Sequence, residues 1–311
     1  MEKNTITKTV LLYKKGLSIR EISLLVPYSR EKIRLILKNE KLPMRYRNIK
    51  YNGVESFSHL ELIRFAELFG YFFGDGYVSD NRYDCTLSFS LDETDLVRTM
   101  IMISEELFSF APVVVHDKGF YRIIFKRTFG RYLIGEGYPP GKKSKINPNV
   151  PNWIVNGNDA IKAAFIRGFF NAESTINKGI LVHQSAKFKM PLNIVDGLKL
   201  SSKIVKGTTY DYHYVRWKDA QEILPGFDGQ SNILNDIRLM LNELGIETNL
   251  YPIRLMINPK NEVSVHFQLY VLGRSKERFL NLKLITCKKK LRRMNICRGD
   301  GARSIVQELN T

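Results

Sequence analysis

Leu68-Phe69-Gly70-Tyr71-Phe72-Phe73-Gly74-Asp75-Gly76 is echoed later in the chain by Ile166-Arg167-Gly168-Phe169-Phe170-Asn171-Ala172-Glu173-Ser174. Small residues recur at every fourth place in both: Ala66, Gly70 and Gly74, then Ala164, Gly168 and Ala172. Residues four apart share one face of an α-helix, so each stretch predicts a helix with a smooth seam. Two such seams allow close backbone approach, with Gly70, Gly74, Gly168 and Ala172 as the helix interface. Each stretch ends in an acid, so the packed pair delivers Asp75 and Glu173 side by side at the helix ends. The dipole is negative there, and adjoining carboxylates repel unless a cation lies between them. Carboxylate oxygens suit Mg²⁺ (or Mn²⁺), which also accepts waters and phosphate oxygens as ligands. That is the arrangement for phosphodiester hydrolysis. Either acid alone reads as an exposed helix end; the matched pair favours the metal reading.

Composition agrees in sign. The 311 residues are 44% apolar and 25% charged, with 48 Lys or Arg against 31 Asp or Glu and a net charge of +17. That excess is a footprint for nucleic acid, or for a generally basic surface. The length favours two or more domains. Three cysteines, an odd count without metal-type pairing, argue against a disulfide framework and for a reducing, intracellular compartment. No uncharged apolar run reaches membrane-spanning length, and the first residues lack the apolar core of a secretory leader. The five histidines show no ligand spacing.

Residues 1–50 stand apart, with 13 Lys or Arg against four acids. Amphipathic runs at 6–15, 19–26 and 30–38 predict three short helices. Ser18 with Glu21 forms a capping box for the second, and Ser29 caps the third. Such a unit is helix-turn-helix-like, a fold that sets its second motif helix in the DNA major groove. That helix would expose Arg30, Lys32 and Arg34 as DNA-binding residues. A small helical cap with a solvated basic face is the alternative. Residues 41–58 read as a linker, 51–58 being its last part, with Tyr46 and Tyr51 among Arg45, Arg47 and Lys50 as either a phosphate-tracking arm or an ordinary tether.

After the first seam, residues 77–91 alternate as a strand with one polar face. Residues 92–110 predict a helix, 112–116 and 120–126 a hairpin about Asp117-Lys118-Gly119, and 127–138 a short helix. The order α, β, β, α, β, β, α recurs after the second seam. Its later parts are a strand at 179–184, a helix at 232–244 capped by Gly245, a hairpin at 251–272 and a closing helix at 274–284. Residues 186–229 lack a counterpart in the first half and read as an insertion with its own strand or hairpin, or a short separate module.

The two seams resemble the paired motifs of the LAGLIDADG homing endonucleases. The first fits at Gly70 and Asp75-Gly76. The second departs at Arg167, where a small residue is usual, and at Ser174 for the closing Gly; Glu173 for Asp is an exchange the family accepts. Gly141-Lys142-Lys143-Ser144 followed by Val150-Pro151-Asn152-Trp153-Ile154 resembles the end of a family first repeat. The resemblance covers residues 59–298, apart from the insertion.

It implies an α+β fold: two pseudo-symmetric αββαββα LAGLIDADG repeats, 59–154 and 155–311, forming a DNA-binding saddle behind a small all-α helix-turn-helix-like domain. Asp75 and Glu173 would hold divalent ions under the scissile phosphates. Lys143 is the matching basic residue of the first repeat. Lys288, Lys289 and Lys290 lie at the corresponding point of the second, Lys289 being taken as its member. Thr86, Ser88, Ser90, Arg122 and Lys126 would face bases or phosphates, with Arg216 a further contact from the insertion. The implied activity is that of a monomeric, metal-dependent, site-specific double-strand DNA endonuclease. Two other readings stand beside it: a DNA-binding transcriptional regulator without cleavage, and an intron-splicing maturase.

Overall fold

The computed structural model describes residues 2–14, 19–40, 53–117, 119–176, 179–207 and 210–296. The chain divides into two units, residues 1–50 and 51–311. In the first, helices α1 (Glu2–Lys14), α2 (Ile19–Leu25) and α3 (Arg30–Asn39) enclose a small core of Tyr13, Ile22, Val26, Ile33 and Leu37. Ser29 caps α3 by accepting from the Lys32 N–H at 3.2 Å. The capping box expected at Ser18 and the basic arm at Arg45–Tyr51 lie outside the described residues.

The second unit mixes helices with antiparallel sheets. It opens on α4 (His59–Asp75), followed by β1 (Tyr77–Val78), β2 (Cys85–Ser90), α5 (Thr94–Phe108), β3 (Val113–Asp117), β4 (Phe120–Phe125) and α6 (Arg127–Gly135). Two single-turn helices, α7 (Lys143–Ile146) and α8 (Asn152–Val155), lead to α9 (Asp159–Glu173). Then come β5 (Ser174–Ile176), β6 (Ile180–Phe188), α10 (Leu192–Leu200), β7 (Lys203–Val205), β8 (Tyr212–Arg216) and α11 (Trp217–Ala220). The chain continues through α12 (Asn232–Glu243), β9 (Thr248–Ile257), β10 (Val263–Val271), α13 (Lys276–Asn281) and α14 (Lys288–Ile296). The sheets run β1-β2-β4-β3 and β5-β6-β10-β9-β8-β7, so the first four strands of each share one order.

The seam helices form because each start is capped and neither has a solvated face over its last turns. Ser58 and Glu61 make a reciprocal capping box at the start of α4, and Asn158 caps α9 by accepting from the Ile161 N–H at 3.1 Å. Every α4 residue from Phe65 to Gly74 is buried, the pattern of a central helix rather than a surface one. Phe65, Phe69, Phe72, Phe73, Phe165, Phe169 and Phe170 all lie in one continuous core.

Four details differ from the sequence expectations. The linker's last residues belong to the fold, since Phe57 packs edge-on against Phe65 at 5.5 Å between centroids. The strand expected over 77–91 breaks at its centre into a hairpin, β1 pairing with β2 through Tyr77 and Thr86. The closing helix is short, a 3₁₀ turn at Gly273–Ser275 followed by α13. The insertion is no separate module: β8 pairs with β9 and β7 with β8, so it widens the second sheet by two strands.

Candidate functional site

The two seams meet along their backbones and run in the same direction. A methyl group at Gly70 would overlap the Phe165 carbonyl oxygen, and one at Gly168 would overlap that of Glu67. Each glycine thus faces the carbonyl three residues before the other, a local twofold relation. One turn on, a methyl at Gly74 would meet the Ala172 Cβ and lie 3.1 Å from Glu173 Cγ. The seam is also tied by polar pairs. Arg167 Nη1 lies 3.2 Å from the buried Glu67 carboxylate, and its Nε donates to the Lys283 carbonyl at 2.9 Å. That explains a large side chain within an otherwise smooth motif: Arg167 reaches past the seam rather than into it.

Asp75 and Glu173 end their helices in one cleft of about 390 Å³, lined also by Ser88, Ser90, Glu93, Thr175, Lys290 and Arg293. Burial pushes the Glu173 carboxyl up to about 7, with the Asp75 charge adding to the rise and Lys143 opposing it. The protein walls raise Asp75 as well, although its side chain opens to the cleft, and Lys143 and Lys290 pull it back. A site that makes two acids resist ionisation is one that gains from a bound cation. Among the described residues no group of three or more His, Cys, Asp or Glu is placed to hold a metal. The donor set is therefore a pair of acids, which fits Mg²⁺ or Mn²⁺ retaining water and substrate oxygens as its other ligands.

Two lysines complete the arrangement. Lys143 Nζ donates to the carbonyls of Phe72, Phe73 and Gly74, at the end of α4. Lys290 Nζ donates to those of Phe170, Asn171 and Ala172, at the end of α9, at 3.0, 2.6 and 2.8 Å. Each ammonium thus uses all three N–H donors on the orphan carbonyls of a seam helix. In this geometry they cap the helices and place positive charge beside the acids. Desolvation lowers Lys143 to about 8, against the pull of Glu173 and Asp75. Lys289, the residue expected in this role, lines the same cleft, but its ammonium goes to Asp92 at 2.9 Å and Glu93 at 3.6 Å rather than to the helix-end carbonyls. Helical phase is the reason, since neighbouring residues of α14 point about 100° apart. A tract of three lysines offers no signal for choosing among them.

Asn171 fixes where α14 begins. Its Oδ1 accepts from the N–H groups of Thr286 and Cys287 at 2.9 and 3.0 Å, and its Nδ2 donates to the Tyr71 and Thr286 hydroxyls. In the first half, Tyr138 ties the chain beyond α6 to the end of α4, donating to the Phe72 and Gly76 carbonyls. Lys290→Met should therefore lower the unfolding free energy by about 2 kcal/mol, because the Asn171 and Ala172 carbonyls lose their donor while the Phe170 carbonyl keeps the Ser174 N–H. Lys289→Met should cost less, about 1 kcal/mol, since its Asp92 partner is exposed and its buried partner Glu93 keeps the Ser90 N–H at 3.0 Å. Urea unfolding of the two variants checks the contrast.

Strand alternation separates an inward and an open face of each sheet. On the first, Thr86, Ser88 and Ser90 share the open face with Ile124, Arg122 and Phe120, their cross-strand partners. Arg122 is held by Asp117 at 2.8 Å. Lys126 is exposed just beyond β4, with its ammonium 4.8 Å over the ring of core residue Phe110, so it stands apart from the strand rows. On the second sheet one row runs Ser185, His266, Arg254 and Arg216 across four strands. Arg216 lies against Asp219 at 2.7 Å. Arg254, at a position with no motif to mark it, makes no ion pair among the described residues and lies 5.9 Å from the Tyr214 ring. The signal for this row was the alternation of β10, where Ser264, His266, Gln268 and Tyr270 interleave with buried apolar residues.

In the N-terminal unit Arg30, Lys32 and Arg34 are all exposed on α3. Arg34 pairs with Glu31 at 2.8 Å, and Lys32 lies over the Tyr28 ring. Among the described residues no helix is long and apolar enough to cross a membrane.

No family model matches the chain. It is 26% identical over 224 residues to the tRNA-splicing ligase RtcB of Pyrococcus abyssi, covering 67% of this chain and 20% of that protein. Against the tRNA-splicing ligase RtcB of Methanopyrus kandleri it is 24% identical over 270 residues, covering 80% and 22%. The chain thus spans about a fifth of the length of the curated relatives it matches. Among solved structures, full-length DUF199/WhiA from Thermatoga maritima aligns with 84% of this chain and 69% of its own, at 12% identity and a TM-score of 0.36. The homing endonuclease I-WcaI bound to its DNA recognition sequence aligns with 82% of this chain and 96% of its own, at 15% identity and a TM-score of 0.38.

Proposed function

We propose that the chain is a site-specific, metal-dependent double-strand DNA endonuclease of the LAGLIDADG type, acting as a monomer. One observation carries this reading: Asp75 and Glu173 share a cleft at matching ends of two helices in backbone contact, each end capped by a lysine. A protein that only binds DNA has no need to bring two carboxylates together in one cleft. The ligase chemistry named for the curated relatives is not carried over, because most of their length has no counterpart here.

In this reading the open faces of the two sheets line a saddle for a duplex, and Asp75 and Glu173 would hold divalent ions at its base. Such ions, when bound, supply water activation and Lewis-acid stabilisation of phosphate charge. Lys143 and Lys290 fix the helix ends so that the acids keep their spacing, and their charge offsets part of the acids' repulsion. The two added strands of the second sheet lengthen that half of the interface by about 10 Å, so the bound site is asymmetric. The test is a cleavage selection on a randomised duplex library with Mg²⁺. Cuts at one defined sequence support the reading, and binding without any cut leaves a DNA-binding regulator in its place.

The N-terminal unit adds a second contact in this proposal. Deleting residues 1–50 removes a net charge of +9. Duplex affinity and the slope of log K against log salt should both fall, while the single-turnover rate at saturation stays unchanged. Salt-dependent binding titrations of both proteins check this, and an unchanged slope would remove the unit from the interface.

A further inference from the structure

The open faces of the two sheets carry different chemistry at corresponding positions. Counting outward from the seam helices, Tyr77 pairs with Thr86 and Thr175 with Leu181, which sets the register of one sheet on the other. Ile124 of the first sheet then corresponds to Tyr270 of the second, Val113 to Asn249, and Val115 to Tyr251. Where the second sheet presents an amide and two phenols, the first presents three branched hydrocarbons. They are open to solvent: Val113 is 57% exposed, Val115 40% and Ile124 38%. Arg122 is the one cation among the described open-face strand residues of the first sheet, and Asp117 neutralises it.

Exposed β-branched residues normally cost solubility unless something covers them. This patch is continuous with Ser88, Ser90 and Phe120, which line the cleft holding the two acids. It therefore belongs to the same surface that would carry the duplex. In the major groove the one hydrocarbon group on a base edge is the thymine C5-methyl, and apolar side chains are its natural contacts.

Resting on the nuclease reading above, we propose that the first sheet reads its half-site through thymine methyl groups packed on Val113, Val115 and Ile124. The second sheet reads its half-site by hydrogen bonds and charge, with Arg254 and Gln268 at its centre. The two halves of the target then differ in kind as well as in sequence.

Deoxyuridine tests this, since it removes the C5-methyl and leaves every hydrogen-bonding group in place. The selected target is made with thymine replaced by uracil in one half at a time. Affinity is measured for the wild type and for Val113→Ser/Val115→Ser/Ile124→Ser, which removes all three hydrocarbon side chains from an exposed face that already carries Ser88 and Ser90. Uracil in the half bound by the first sheet should weaken binding roughly fourfold per contacted methyl, the factor that about 0.8 kcal/mol per buried carbon gives. Uracil in the other half should have no measurable effect, and the variant should lose the discrimination. Equal sensitivity in both halves, none in either, or discrimination retained by the variant would overturn the proposal. So would a variant whose only change is in self-association, which would make the patch a contact between copies. Failure of the nuclease reading is distinguishable, because then no target emerges before uracil is introduced.

Discussion

Asp75→Asn should leave duplex affinity within about twofold and slow cleavage of at least one strand by roughly a hundred- to a thousandfold, the scale for removing one group that stabilises developing charge. Asparagine keeps the shape and the surrounding contacts but cannot supply a carboxylate to a cation. Glu173→Gln should give the same kind of loss. The double variant should be little worse than the more damaged single one if the acids act as one centre, because effects within such a unit are not additive. Strand-specific end-labelling in Mg²⁺ reads all three proteins. A single variant that cuts both strands at the wild-type rate would refute the assignment of that acid.

The largest stability effect is expected at the seam. Gly70→Ala and Gly168→Ala each set a methyl where the facing helix has a backbone oxygen, and backbone cannot yield as a flexible side chain can. The helices would have to part, at roughly 3 kcal/mol or more each. Gly74→Ala should cost less, since its methyl overlaps the Ala172 Cβ less deeply and does so at the last turn, where the helix ends can part most easily. Gly135→Ala is the control: nothing lies within 4 Å of a Cβ there, and replacing a helical glycine in open space should stabilise by up to about 1 kcal/mol. Thermal or urea unfolding ranks the four. If Gly70→Ala unfolds like Gly135→Ala, the helices do not approach as described.

How far the sequence could be read follows from what kind of information each feature needs. The seam helices were legible because a four-residue spacing of small side chains is local and repeated. The hairpin at Asp117-Gly119 and the helix ending at Gly245 were legible for the same reason, each carrying its turn chemistry in adjacent residues. The joining of the insertion to the second sheet was not, because β8 pairs with β9 through Val215 and Leu255, forty residues apart, and no local pattern specifies that. Lys290 was hidden among three lysines until helical phase chose it. Arg122 looked free in sequence because Asp117, its partner, lies on the neighbouring strand.

The central claim is that Asp75 and Glu173 share a cation centre, and anomalous diffraction from crystals grown with duplex and Mn²⁺ tests it most directly. An anomalous peak is expected between the two carboxylates, lost in the Asp75→Asn/Glu173→Gln protein. Duplex bound across both sheets, with manganese absent from that cleft or held only elsewhere, would contradict it.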